Sequence, residues 1–465
     1  MSKKSIVLKC LGLLIAALSI ALSYVITIEG FDARAIHTVG VLIATLALLI
    51  FESFNVCITC LLSAALLYIN GCVGNITEAF SGYTNHILYF TIASFGISTA
   101  LQKTGYMQKV IYSLIKRKEC SIKGIIAIFM ICCAVISAFI SNVVAAVVLL
   151  PSALEVLKLY DAEEDMKKTK RCLLICMTLS AMIGGLISPA GSSINLICID
   201  MLERYGNLSV RFIDWCIIGT PLVAVMLLVV FFITTKIYKP VELNKEKTAN
   251  FTFDVKDDNE VSEGKKIFTV TVILLTILAW FLSSWITQIN ITVVSLICLT
   301  LFFMPKFGIL SWEEFSEGIC WPTFFIAGAM ITLASLVNET GMTTYLVSKV
   351  FPSEIPNQYF ATFLVAAVTF AFMVFVPVAP AAATVLVPLM ISFAQQMGCN
   401  PVMLAMTASF CVCNCYLFPI DTVMVVAYEQ KAFTMFELPR ATVWIQLAMI
   451  AIVGSWMPFI FNILY

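Results

Sequence analysis

The chain has 465 residues, of which 61% are hydrophobic and only 12% are charged, and its mean hydropathy is +0.99. Because an average soluble domain has roughly 25% charged residues, this composition excludes a soluble globular protein and indicates an integral membrane protein. Lysine plus arginine and aspartate plus glutamate number 28 each, so the net charge is zero and gives no indication of a nucleic-acid partner.

The first predicted membrane helix follows a basic N-terminus. Lys3 and Lys4 precede an apolar run that is longer than a signal-peptide core and lacks an A-x-A cleavage pattern, so we predict that this segment is retained. A bilayer core needs about 20 apolar residues per helix, and runs of this kind predict roughly eleven spans in an all-α polytopic membrane protein. They lie near residues 5–27, 36–51, 54–72, 86–101, 172–203, 214–236, 267–287, 289–304, 321–337, 402–428 and 441–464.

Two further apolar stretches, 124–159 and 358–397, are too long for one helix and have no polar loop between two helices. Lys/Arg-rich segments flank the first stretch on both sides, which places both of its ends in the cytoplasm. Either two full spans with a tight external turn or a re-entrant hairpin fits this arrangement. The tip lacks glycine, proline and charge, which favours the hairpin. The same rule predicts a multi-pass protein of the cytoplasmic membrane with a cytoplasmic N-terminus and an extracellular C-terminus.

The two halves of the chain show an internal repeat. A mixed-charge segment, 236–266, predicts a cytoplasmic linker; it follows the N-terminal spans 1–85 and a first repeat, 86–235, and precedes a second repeat, 267–465. Thr104 lies 47 residues before Pro151, and Thr340 lies 48 residues before Pro388. Each repeat continues into a span with an apparent break. Inverted repeats with interrupted helices are typical of secondary transporters, although glycine and proline also kink ordinary spans.

Small polar side chains mark the interruptions of the first repeat. The hairpin tip contributes Ser137, Ser141 and Asn142. The break after Pro189 contributes Gly191, Ser192, Ser193 and Asn195. Hydroxyl, amide and backbone oxygens suit a hard cation such as sodium. The alternative for any one serine is a hydrogen bond to the preceding turn of its own helix.

The second repeat has different chemistry at the matching positions. Its tip, Val378-Ala379-Pro380, has no side-chain ligand before Thr384, whereas the break at "FPIDT" places Asp421 beside Thr422. An ionisable residue within a span is a functional-site hypothesis. A helix cap is the alternative for Asp421, and the two roles are compatible. An ionised and unpaired Asp421 would repel a dianion, so we expect Asp421 to be protonated or cation-bound when such a substrate is present.

These residues resemble the family of divalent-anion/sodium symporters, which carry dicarboxylates, citrate or sulfate, within the ion-transporter superfamily. Ser141-Asn142-Val143 matches the first hairpin tip of that family, and Gly191-Ser192-Ser193-Ile194-Asn195 matches its first break. The resemblance implies an elevator-type homodimer, with residues 1–85 in a scaffold, that moves a small anion with sodium and possibly protons. It implies sodium ligands at Ser137, Ser141, Asn142 and Gly191. It implies substrate contacts at Ser141, Asn142, Val143, Ser192, Ser193, Ala379, Pro380 and Thr422, with Asp421 in coupling.

Two other classes remain as alternatives. A cation or proton antiporter of the same superfamily would move ions without an organic anion. An intramembrane enzyme is disfavoured, because His37 and His86 are the only histidines and no Ser-His or metal-binding pattern accompanies them. We interpret the cysteines as reduced core residues. In "CVCNC" (Cys411–Cys415) the spacing of two would point the thiols of a helix in different directions, which disfavours a metal site there. We therefore predict no enzymatic activity and no cofactor beyond the co-transported ion.

Overall fold

Helices account for the regular structure of this chain. The computed structural model describes residues 3–117, 121–243, 261–286, 288–352, 354–376, 378–417, 421–435 and 437–464, and within these residues no strand occurs. This confirms the all-α polytopic class, in which each segment satisfies its own backbone hydrogen bonds. Pro377, the segment 418–420 of the second predicted break, and most of the predicted linker lie outside the described residues.

Asparagine and aspartate caps mark the start of several N-terminal helices. Asp32, Asn55 and Asn85 each accept a hydrogen bond from a backbone N–H in the first turn of the helix that follows. Gly105 has a φ of +67°, a left-handed conformation that costs glycine little and turns the chain sharply. The helices are α1 (Lys3–Ser23), α2 (Ala33–Ile50), α3 (Val56–Ile69), α4 (Ile76–Ala79), α5 (His86–Thr104) and α6 (Tyr106–Arg117).

The first hairpin and the first broken span come next. Helix α7 (Ile122–Ser137) is joined by four residues to α8 (Asn142–Leu157), and the two pack against each other and against α9 (Glu163–Gly184). After α9 the chain unwinds, forms one 3-10 turn at Pro189–Gly191, and resumes as α10 (Ser193–Gly206). The predicted span 172–203 is therefore two helices with a break, and α11 (Phe212–Tyr238) follows it.

The second half contains the same order of elements. Gly341, with a φ of +74°, turns the chain before a hairpin of the helices Gln358–Phe375 and Ala379–Met397. The helices Pro401–Val412 and Thr422–Glu429 then form a second interrupted span. Its helices are α12 (Glu263–Leu282), α13 (Ile291–Leu301), α14 (Trp312–Gly318), α15 (Trp321–Glu339), α16 (Met342–Val350), α17 (Gln358–Phe375), α18 (Ala379–Met397), α19 (Pro401–Val412), α20 (Thr422–Glu429) and α21 (Pro439–Leu464). The inverted orientation of the halves stays a prediction.

Several described helices have the length and composition of membrane spans. The six that do are α2, α11, α12, α15, α18 and α21, and shorter apolar helices include both arms of the first hairpin and the first helix of the second broken span. The total of eleven membrane spans stays a prediction.

Helix packing brings the two halves together. Helices α18 and α19 pack against α10, and α11 and α17 both pack against α21. One large buried apolar cluster extends through these helices, so the hairpins and breaks of both halves share a core.

Candidate functional site

Three oxygen atoms converge at the tip of the first hairpin. Ser137, the last residue of α7, is fully buried, and its Oγ lies 2.6 Å from Asn142 Oδ1 and 2.5 Å from the carbonyl oxygen of Ala181. A hydroxyl carries one proton, so it cannot donate a full hydrogen bond to both acceptors at once. The Ser137 hydroxyl thus points to another helix instead of its own preceding turn. Hydroxyl, amide and backbone oxygens of this kind suit a hard cation.

Side-chain hydrogen bonds satisfy the backbone carbonyls of the first break and one carbonyl of the facing hairpin tip. Asn195 is fully buried, and its Nδ2 donates to the carbonyls of Gly185 and Ser188 at 2.8 and 2.9 Å. Trp215 Nε1 donates to the carbonyl of Leu186 at 3.0 Å, and Ser188 Oγ donates to the carbonyl of Ala138. Buried backbone groups need such partners, so this unwound segment has a defined shape.

Two glycines allow the break to lie directly against the hairpin tip. A Cβ atom at Gly185 would lie 2.3 Å from Asn142 Oδ1, and one at Gly191 would lie 2.7 Å from the carbonyl oxygen of Ser137. Both distances are too short for any side chain. The predicted residues Ser137, Asn142 and Gly191 therefore do come together, and Gly185 joins them. Sequence analysis missed Gly185, although the adjacent glycine pair at 184–185 was a visible signal.

The remaining predicted residues of the first half lie around this point. Ser141 precedes α8 without a side-chain cap hydrogen bond, and both Ser141 and Val143 are half-buried. Ser192 caps α10 by accepting from the Ile194 N–H at 3.3 Å, and Ser193 begins that helix. The first turn of α8 thus has free backbone N–H groups without a local side-chain partner.

The second break is held by a residue from another helix. Gln446 on α21 donates through Nε2 to the carbonyl of Asn414 at 3.3 Å and accepts through Oε1 from the N–H of Tyr416 at 2.9 Å. Tyr416 OH donates to Asn414 Oδ1 at 2.6 Å, and all three residues are buried. Sequence analysis did not single out Gln446, whose signal was a lone amide within an apolar run.

The second hairpin tip has no polar side chain in the part that the structure describes. Val378, Ala379 and Pro380 are half-buried at the start of α18. Thr384 lies deeper, and its Oγ1 donates to the carbonyl of Ala381 in its own helix at 2.9 Å. These observations agree with the sequence, in which the tip has lost its side-chain ligands.

Asp421 caps α20. Its Oδ1 accepts from the backbone N–H of Val423 at 2.8 Å, and the side chain is half-buried while Thr422 is exposed. This contact is the cap that sequence analysis gave as one of two compatible roles. The coupling role stays a prediction.

The two breaks touch each other through a cysteine. Cys413 Sγ lies 3.6 Å from Asn195 Oδ1 and 3.9 Å from Ser192 Oγ. Asp421 lies close enough to Cys413 and Cys415 to interact with both thiols electrostatically. Sequence analysis placed the whole "CVCNC" stretch on a helix, and this was wrong: α19 ends at Val412, so Cys413 and Cys415 lie in the break.

Interrupted helices that meet at polar groups, each preceded by a hairpin, are typical of membrane transporters, because the free ends of half-helices supply binding groups inside an apolar protein. Comparison with known proteins places the chain more closely: the model of a family described as "Citrate transporter" matches residues 46–411, and the chain belongs to this family.

Individual relatives cover most of the chain. It is 26% identical over 431 residues to an uncharacterized transporter of Haemophilus influenzae, with 88% of each chain covered. It is 23% identical over 443 residues to the sodium-dependent dicarboxylate transporter SdcS of Staphylococcus saprophyticus, covering 88% of this chain and 84% of the relative. The corresponding Staphylococcus aureus protein is 21% identical over 440 residues. The predicted resemblance to sodium-coupled anion symporters is thus confirmed, and the chain is a transporter and not an enzyme.

Proposed function

We propose that this protein couples sodium entry to the movement of a small carboxylate anion across the cytoplasmic membrane. The observation that carries the proposal is the buried convergence of Ser137 Oγ, Asn142 Oδ1 and the Ala181 carbonyl oxygen. Oxygen donors without a thiol suit sodium better than a softer metal. The sodium-dependent relatives support the same assignment.

The anion is proposed to bind beside the cation. The N-terminal end of a helix carries a partial positive charge and free N–H groups, which favour an anion. Helix α8 offers such an end at Ser141, Asn142 and Val143, and Ser192 and Ser193 border it at the first break. From the second half, Ala379, Pro380 and Thr422 would complete the substrate site. Dicarboxylates and tricarboxylates form the starting panel of substrates, and sulfate represents the oxyanion alternative.

The larger assembly is also part of the proposal. We expect a homodimer in which each subunit has a scaffold anchored in the bilayer and a second unit that contains both hairpins. The N-terminus is expected in the cytoplasm. Asp421 is proposed to take part in coupling as a proton carrier or a cation ligand. No protein cofactor is required beyond the co-transported ion.

The test is a thermal-shift screen of the purified protein, followed by uptake in proteoliposomes. A ligand that binds only the native state must raise its stability, so sodium, lithium and potassium are compared alone and with each anion. We expect one carboxylate to stabilise the protein in sodium and not in potassium. Ion flux that proceeds at full rate without any organic anion would instead identify a cation or proton antiporter.

A further inference from the structure

Asp421 is the only charged residue in the apolar stretches at the centre of the hairpins and breaks. Residues 124–154, 172–199 and 358–428 contain no lysine, arginine, histidine or glutamate and no other aspartate. A charge in such apolar surroundings is costly unless it has a function or a partner. The protein therefore provides one fixed carboxylate and no cationic side chain in these segments.

This carboxylate occupies a place where a half-helix would otherwise hold an anion. Asp421 Oδ1 accepts from the N–H of Val423 at 2.8 Å, so the N-terminal end of α20 already has a negative group from its own chain. The group is not remote from the first half, because α20, the helix that Asp421 caps, packs against both α8 and α9.

The other helix end of the second half is also poor in anion-binding groups. Pro380 is the second residue of α18 and has no N–H to donate. The first turn of α8, by contrast, contains no proline, and Ser141 makes no cap hydrogen bond with it. Anion-binding groups are thus concentrated in the first half.

From this arrangement we propose that Asp421 takes the place of one carboxylate of a dicarboxylate substrate, so that this transporter carries a monocarboxylate. The inference rests on the proposed function of sodium-coupled carboxylate transport. An ionised Asp421, as required of a cation ligand, and a monocarboxylate together bring two negative charges to the site, as a dicarboxylate alone would do. A dicarboxylate beside Asp421 would bring three, and like charges at close range repel each other. The substrate class then differs from the one in the names of the staphylococcal relatives.

The experiment compares two acids of equal carbon number, butyrate and succinate, by thermal shift in sodium and by competition for sodium-driven uptake. We expect butyrate to act at a concentration at least about tenfold lower than succinate. In Asp421→Asn the order should reverse, because asparagine keeps the oxygen that accepts from Val423 and removes the charge. Asp32→Asn is the matched control: Asp32 caps α2 by accepting from Ala35 at 2.9 Å, and its substitution should leave the order unchanged.

Wild-type protein alone decides the outcome if the variant does not fold. A wild-type preference for butyrate that falls short of about tenfold, an equal response or a preference for succinate would each overturn the monocarboxylate inference and leave carboxylate transport intact. An unchanged order in a folded Asp421→Asn variant would overturn the role of Asp421. If no mono-, di- or tricarboxylate shifts the stability in sodium, the proposed function itself fails, and the inference fails with it.

Discussion

The first and second breaks share a position in the order of helices but differ in how they are built. In the first break, Asn195 donates hydrogen bonds to the backbone carbonyls of Gly185 and Ser188 in the same unwound segment. This break lies beside the three uncharged oxygens at the first hairpin tip. In the second break, the backbone of Asn414 and Tyr416 is hydrogen-bonded by Gln446 from a different helix, α21. Asp421 lies at the end of this break, where it caps α20. A common fold can thus hold a cluster of uncharged oxygens in one half and a carboxyl group in the other.

The strongest test of this comparison is Asn142→Ala at the first hairpin. The substitution removes one oxygen of the proposed cation site, and a lost contact to a charged group costs up to about 3 kcal/mol, which corresponds to about 100-fold in affinity. The sodium concentration for half-maximal stabilisation should rise by that factor in a thermal-shift titration.

The matched control is Asn55→Ala, since Asn55 caps α3 by accepting from the Cys57 N–H at 2.9 Å, away from both hairpins. It should lower stability by about 1 kcal/mol without changing the sodium response. Equal sodium titrations for wild type and Asn142→Ala would show that the first half is not the cation site.

Gly185→Ala should act on the same site from the facing segment. The new Cβ would lie 2.3 Å from Asn142 Oδ1, so the amide must shift away from Ser137. Sodium affinity should fall by about tenfold, because a displaced ligand loses part of its bond energy. Gly264→Ala, where no atom lies within 4 Å of the added Cβ, should leave sodium-driven uptake unchanged. A normal sodium titration for Gly185→Ala would mean that the break does not support the tip.

Gln446→Leu examines the brace of the second break. Loss of the amide leaves the Asn414 carbonyl and the Tyr416 N–H unpaired, which should lower the free energy of unfolding by about 1–3 kcal/mol. We expect a slower maximal rate of uptake with an unchanged sodium half-saturation, because the proposed cation site lies in the other half. Gln358→Leu is the control, as the half-buried Gln358 donates through its side chain to Asn462 Oδ1 at 2.9 Å and, in the described structure, has no hydrogen bond to either break. A shifted sodium half-saturation in Gln446→Leu would show that the two breaks are not separate in function.

Asp421→Asn should have the mildest effect on folding, since the cap to Val423 is retained. If Asp421 carries a proton, the pH dependence of uptake in proteoliposomes should flatten, with the Cys413 and Cys415 thiols as the neighbouring titratable groups. Asp32→Asn should keep the wild-type profile. Full activity with an unchanged pH profile in Asp421→Asn would exclude the coupling role and leave only the cap.

Much of the fold followed from the sequence, because a bilayer tolerates few sequence patterns. Long apolar runs must form helices, and a polar pair such as Ser141-Asn142 is too costly to place in one without a reason. The hairpin tips and both breaks were therefore visible in advance. Ser137 and Asn142 were also predictable as neighbours, since only four residues separate α7 from α8.

Tertiary structure alone decided which distant residues complete the site. Cys413 meets Asn195 across 218 positions of sequence, Gly185 meets Asn142 from the next helix, and Gln446 reaches the second break from α21. A pattern of apolar and polar residues specifies which face of a helix is buried, but it does not specify which partner that face meets. Close packing makes that choice through shape, as at Gly185, where the absence of a single Cβ allows two segments to touch.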